Sequence, residues 1–296
     1  MKNRVIALGF FDGVHLGHAA LLSKTIYRAK QMGLSPAVLT FSEHPSSVTG
    51  KAKVSLINTV QERCSIIRRL FGIEDIIVWS FDTSLMHMPW QEFINRVSDE
   101  LGASHLVAGY DYRFGFKGEG NAEKLCAYAK DLGIGVDIVD KIDLNGETVS
   151  STGIRALIAQ GKMRQAQAFL GHPHCMEGTV RKGVQLGRTL GLPTVNLEIP
   201  SGIVLPSFGV YASKLFFDGR EHIGVTNIGV RPTVAENSAP NAETHILDYN
   251  GDLYGESVRV ELHEFLRPER RFESMDALRC QITKDVLLTR DYFSSL

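Results

Sequence analysis

Through the first half of the chain, short apolar runs alternate with longer stretches whose apolar residues recur at helical spacing. Residues 3–10 read as a strand, and residues 15–32 as a helix stopped by Gly33. PAVLTF (36–41) is the next strand, and Thr59 with Glu62 three residues on forms a capping-box pattern. That box opens a helix carrying Ile66, Ile67 and Leu70 and ending at Gly72. IIVWSF (76–81), HLVAGY (105–110) and VDIVDKI (136–142) continue as strands. Between and after them, helices start at Pro89, at Asn121 and at Ser151 or Thr152. Repeated βα units predict a parallel sheet with helices on both faces, which binds ligands beyond the carboxyl ends of its strands.

The pattern changes after about Gly171. GHPHC reads as a linker or turn, and GVYASKLFF, HIGVTNIGV, ETHILDY and SVRVELHEF read as strands. Asp218-Gly219 after Phe217 and Asn250-Gly251 after Tyr249 are hairpin dipeptides. A last helix spans residues 274–293. The expected architecture is therefore α/β: a parallel sheet over residues 1–171, then a small antiparallel β-barrel domain with a C-terminal helix over residues 172–296.

Composition narrows the classes. Lys and Arg number 32 against 33 Asp and Glu, a formal charge of −1, which argues against broad coating of nucleic acid or a membrane surface. No apolar run reaches spanning length and no signal peptide precedes the first strand. The cysteines at 64, 126, 175 and 280 form no CxxC pair, so a zinc site is not expected and a reducing cytoplasm is. Nothing in the sequence sets an oligomeric state.

Five stretches carry candidate chemistry. In GFFDGVHLGH (9–18), His15 and His18 flank a predicted helix start, where free N–H groups and the helix dipole attract phosphate. Gly9, Gly13 and Gly17 allow close approach of backbone to a ligand, and Asp12 stands where it could orient a histidine or a hydroxyl. An isolated HxxH is as often a capped helix start with packed histidines. SSTGIR puts Ser151 and Thr152 at a helix start with Arg155 one turn in, suited to the outer phosphates of ATP or to a simple cap. GYDYRFGFKGEGN (109–121) offers aromatics, Asp111 and Arg113 for a flat ring and a phosphate, or merely turns the chain; TFSEHP, with Phe41 and His44, is a weaker companion.

The other two lie in the second half. Gly183, Gly187 and Gly191 frame a basic loop closed by Pro193-Thr194-Val195-Asn196. Thr194 and Asn196 project to one side of an extended strand and offer hard oxygen donors suited to Mg²⁺ on a nucleotide. Glu243 could take a proton from a substrate hydroxyl, or be an exposed strand-end acid.

Taken together, these motifs resemble the prokaryotic bifunctional riboflavin kinase/FMN adenylyltransferase family, the FAD synthetases. GFFDGVHLGH and SSTGIR resemble its nucleotidyltransferase motifs, and GYDYRFGFKGEGN its flavin-side loop. LGRTLGLPTVN, GVYAS, TNIGVRPT, ETHILDYNGDLYG and FLRPERRF resemble successive riboflavin kinase motifs. The resemblance implies a Rossmann-like nucleotidyltransferase sheet followed by a kinase barrel. It implies phosphorylation of riboflavin to FMN by ATP, then AMP transfer from ATP to FMN, with Mg²⁺ as cofactor. It places Gly9, Phe11, Asp12, His15, His18, Ser151, Thr152, Arg155, Gly183 and Gly187 with the nucleotide. Asp111, Arg113, Phe41 and Arg267 fall on the flavin side, Thr194 and Asn196 on the metal, and Glu243 as the base. Phe10 stands where many members have Asn, Val195 where Ala is frequent and His174 where Tyr is frequent. The short segment before the first strand and Phe10 are expected to alter flavin binding or the balance of activities. An enzyme with only the adenylyl-transfer half active, or a flavin-binding regulatory module, are the alternatives.

Overall fold

The computed structural model describes residues 3–44, 54–181, 194–230 and 239–296. The chain divides into two compact units, Met1–Ser151 and Thr152–Leu296.

The first unit holds five parallel strands: β1 (Arg4–Leu8), β2 (Ser35–Phe41), β3 (Asp75–Trp79), β4 (Ala103–Gly109) and β5 (Gly135–Val139). Their order, β3-β2-β1-β4-β5, reverses direction at β1. Right-handed crossovers therefore put helices on opposite faces before and after that point, and the crevice between β1 and β4 is the switch point.

Local chemistry sets the helices. Helix α1 (Leu16–Met32) is capped by His15 and closed by Gly33 at φ 64°. Helix α2 (Val60–Phe71) has both bonds of the expected Thr59/Glu62 box and stops at Gly72. A short α3 (Thr83–His87), capped by Asp82 and not foreseen, precedes α4 (Trp90–Asp99) and α5 (Ala122–Asp131), the latter capped by Asn121. Ile6, Leu39, Phe93, Leu106 and Leu125 belong to one buried core. Ile66 and Ile67 of α2 are fully buried, whereas Leu70 is 41% exposed. Asn145-Gly146, both at positive φ, closes a hairpin of β6 (Asp143–Leu144) and β7 (Glu147–Thr148) that the pattern had not suggested. Helix α6 (Ser151–Ala159) begins at Ser151 itself, so Ser151 and Thr152 are helical residues rather than its cap.

The second unit continues with α7 (Met163–Leu170) and six antiparallel strands. These are β8 (His174–Thr179), β9 (Thr194–Glu198), β10 (Gly209–Phe217), β11 (Arg220–Val230), β12 (Pro240–Ile246) and β13 (Ser257–Pro268). The order β8-β13-β10-β11-β12-β9 curls on itself, and just past β8 the residue Arg181 bridges Asn196 of β9. GHPHC is thus partly strand, because His174 and Cys175 pair with Leu262 and Glu261. Asp218-Gly219 makes the expected two-residue hairpin between β10 and β11, both residues at positive φ. Asn250-Gly251 does not, because β12 pairs with β11 and β9, never with β13. Among the buried strand residues, the Ser213, Thr226 and Thr244 hydroxyls bond one another across three strands, which satisfies groups that would be costly alone. Helix α8 (Met275–Ser294), capped by Ser274, packs on β10 and β11.

Candidate active site

In the first unit, the turn after β1 doubles back sharply. Phe11 at φ 60°, Gly13 at φ 80° and Val14 at φ 44° all occupy the left-handed region. For a β-branched residue such as Val14 this is strained backbone, which concentrates where surrounding contacts over-determine the chain. Gly9 is required by packing: a Cβ there would sit 2.9 Å from the Phe11 ring. The close approach is thus made by the protein's own aromatic ring. Phe11 in turn meets the His18 ring edge-on, with centroids 5.2 Å apart.

The two histidines come together as their spacing suggests. Their rings stack at 3.7 Å, and His15 Nδ1 accepts the His18 backbone N–H at 3.4 Å as the helix cap. The cap needs an unprotonated His15 Nδ1. His18 is held neutral well below the ordinary histidine value, first by burial, then by His15 and by the Arg63 cation. His18 Nδ1 is buried with no hydrogen-bond partner.

Asp12 fastens this turn to the start of α2, its Oδ1 accepting the backbone N–H groups of Ile57 at 2.8 Å and Asn58 at 3.4 Å. Its carbonyl accepts the Ser151 hydroxyl at 2.9 Å, which brings Ser151 to the turn. Further along α6, Arg155 donates to Thr152 Oγ1 at 3.0 Å.

Arg63, which sequence reasoning missed, is fully buried beneath the same turn. It donates to the carbonyls of Phe10 and, at 2.8 Å, of Phe41, and its guanidinium lies 4.2 Å from the Phe10 ring centre. Burial pulls its pKa down to about 10, with nearby Asp12 opposing, so it remains a cation at neutral pH. One signal could have found it: Arg63 lies in phase with Ile66 and Ile67, on the stripe where apolar residues are expected.

The loop after β4 is anchored by its aromatics. Phe114 is buried against Phe93, with centroids 5.3 Å apart, and bridges back to Gly120. Phe116 stacks on His87 of α3. Asp111 and Arg113 are exposed on this loop. Phe41 is a core residue, edge-on to Phe81, and it is its carbonyl that faces Arg63.

In the second unit, strand register assembles the polar set. Asn196 of β9 lies directly opposite Glu243 of β12. The Thr194 hydroxyl donates to Glu243 Oε1 at 2.6 Å, and Asn241 Nδ2 donates to Asn196 Oδ1 at 3.1 Å. Asn227 stands opposite Glu243 on its other flank and donates to Glu269 at 2.9 Å. Asn241, Asn227 and Glu269 were not singled out from sequence, since an amide in a strand carries no local signature. Arg267 makes a buried ion pair with Asp285 of α8 at 2.8 Å. Gly183 and Gly187 lie outside the described residues.

Comparison with known proteins bears on both units. The model of the FAD synthetase family matches residues 1–153, and that of the riboflavin kinase family residues 170–293. A bifunctional riboflavin kinase/FMN adenylyltransferase of Listeria monocytogenes is 38% identical over 99% of this chain and 94% of its own length. Those of Bacillus subtilis and Escherichia coli K12 are 35% and 34% identical, over 99% and 98% of this chain and 93% and 92% of their own lengths. A solved structure from Streptococcus pneumoniae, described as a macrolide-efflux protein, superposes with a TM-score of 0.85 at 29% identity, covering 98% of this chain and 97% of that one. Among the described residues here, no helix is long and apolar enough to cross a membrane.

Proposed function

The chain belongs to the family of bifunctional riboflavin kinase/FMN adenylyltransferases, and on that premise we propose which of its residues carry the two reactions. The protein phosphorylates riboflavin to FMN with ATP, then transfers AMP from ATP to FMN, giving FAD and pyrophosphate. Its substrates are small molecules. We assign adenylyl transfer to residues 1–171, which keeps Thr152 and Arg155 with that reaction, and phosphorylation to residues 172–296.

For phosphorylation, the acceptor is a neutral hydroxyl, so a base is useful. Glu243 is the candidate, and its contact with Thr194 is the observation that carries the reading. A hydroxyl that donates its proton to a carboxylate keeps its oxygen lone pairs for a cation. The Asn196 carbonyl oxygen is oriented by Asn241 on the same face. Two neutral oxygen donors without a carboxylate cage suit Mg²⁺, which keeps waters and arrives on nucleotide phosphates. Thr194 and Asn196 would hold it, and it would neutralise phosphate charge there. Gly183 and Gly187 are assigned to the nucleotide loop, and Arg267, fixed by Asp285, to the flavin side.

For adenylyl transfer, the FMN phosphate is already an anionic nucleophile. The protein need only align it with the α-phosphate of ATP and stabilise the leaving pyrophosphate. His15 and His18 at the start of α1, with the Gly9–Asp12 turn, are assigned to the polyphosphate; Ser151, Thr152 and Arg155 complete that set. A neutral His18 can donate a hydrogen bond to phosphate without adding charge. Asp111, Arg113 and Phe41 are assigned to the flavin side. The cytoplasm is the proposed compartment, where ATP is present and the four thiols stay reduced.

The test is a chromatographic time course of riboflavin with Mg-ATP, repeated with FMN. FMN should appear first and FAD after it. A chain that converts FMN but never riboflavin has one active half; flavin binding without product would mean a regulatory module.

A further inference from the structure

The fully buried Arg63 has no part in the two reactions as assigned above. It sits in α2, whose entry is tied to the turn after β1 by Asp12, through the backbone N–H groups of Ile57 and Asn58. The tie is reciprocal, because one turn into the helix Arg63 reaches back to the carbonyl of Phe10. Its second nitrogen takes the carbonyl of Phe41, at the end of β2. The guanidinium thus bridges the carboxyl ends of two neighbouring strands. Thr40 adds a second bond to the Phe10 carbonyl, at 2.9 Å, and the Phe10 ring lies against the guanidinium.

Immediately beyond Phe10 the chain takes its three left-handed residues and delivers His15 and His18. Outside glycine, such residues are strained and persist only where neighbours hold them. An ammonium could reach one carbonyl, but the planar guanidinium fork binds two in fixed geometry. We infer that Arg63 is a positioning residue for adenylyl transfer, holding the Phe10–Val14 turn in the conformation that presents His15 and His18. The inference rests on the assignment of adenylyl transfer to this turn.

A second consequence separates this role from plain stabilisation. The groups around His18 are His15 and Phe11 from the turn and Arg63 from α2. Both charged or ionisable neighbours oppose its protonation. Removing the arginine charge should therefore let His18 protonate at higher pH.

The test uses the full-length protein, with FMN formation as an internal control for folding. Arg63→Gln should lower kcat for FAD formation at least about tenfold, with a smaller change in KM for ATP. FMN formation from riboflavin should stay within about twofold of the parent. Arg63→Lys keeps the charge but one carbonyl contact, and should fall between parent and Arg63→Gln. The acid limb of the pH profile for FAD formation should move to higher pH in Arg63→Gln and stay in place in Arg63→Lys. FAD formation near the parent level in Arg63→Gln would overturn the inference. So would an unmoved acid limb, or parallel loss of both activities in Arg63→Lys. A parent protein that makes no FAD, or a His18→Ala variant that makes it normally, would instead sink the adenylyl-transfer assignment.

Discussion

The Thr194 hydroxyl donates to Glu243 Oε1 at 2.6 Å, although the two residues are 49 positions apart in sequence. The antiparallel pairing of β9 with β12 makes this contact, and it places a hydroxyl, an amide and a carboxylate on one face of the barrel. Glu243→Gln should therefore cut FMN formation by about a hundredfold or more while leaving FAD formation from supplied FMN near the parent rate. Thr194→Val should lose FMN formation as well, whereas Thr194→Ser, which keeps the oxygen, should retain most of it. Initial rates with riboflavin and with FMN, measured separately, check both.

His18 yields a prediction about pH. Burial, with His15 and Arg63 adding to it, holds its pKa well below the ordinary histidine value of 6.5. The group then stays neutral as pH falls through 6.5, so FAD formation should keep its rate there and decline only well below that value. Unfolded His18 protonates near 6.5, so this group makes the native state progressively less stable as pH drops below it. Rate profiles with FMN and Mg-ATP test the first point. An acid limb centred at the ordinary histidine value would contradict it.

Gly9→Ala should act through Phe11. The added methyl would stand 2.9 Å from that ring, which touches His18. FAD formation should fall about tenfold or more with FMN formation intact. If the variant matches the parent in both assays, the ring is not what Gly9 accommodates.

The group of Arg28 on α1, His105 on β4 and Asp137 on β5 should govern acid stability of the first unit. Arg28 holds the Asp137 carboxyl down to about 2, with His105 adding a bond at 2.8 Å. The stabilisation is complete above the unfolded value of 3.8 and is lost as pH falls through about 2. Asp137→Asn should cost about 1–3 kcal/mol at neutral pH and flatten this acid limb. Urea unfolding at neutral and acid pH measures both.

Asp285 is 1% exposed and holds Arg267, which keeps 16% exposure. Asp285→Ala strands a mostly buried cation and should cost about 2–4 kcal/mol, the lower part of the range reflecting that exposure. A lowered midpoint of thermal unfolding with weaker riboflavin binding would agree. An unchanged midpoint would mean that the guanidinium finds solvent.

How much could be read from sequence differs by element. The Thr59/Glu62 box, the Asn121 cap, the Gly33 stop and the Asp218-Gly219 hairpin were all legible, because each is settled within one turn of chain. Asn250-Gly251 misled for the opposite reason: a hairpin dipeptide does not decide which strands pair, and here β12 and β13 go to different neighbours. The histidine pair was visible because both members sit on the same helix start. Arg63 was hidden because a charged residue on a helix is usually solvated, and only its position beneath the turn after β1 makes it a ligand for two carbonyls.

The sequence by itself determined the alternation of the five parallel strands with their main helices, the α/β and β-barrel plan, and the residue types suited to phosphate and flavin chemistry. These follow from periodicity, caps and turns, which act over a few residues. The tertiary structure alone decided that Glu243 meets Thr194, that Asp12 ties the turn after β1 to α2, and that Ser151 reaches the Asp12 carbonyl. Those contacts join segments 45 to 139 residues apart, and strand order, register and burial create them.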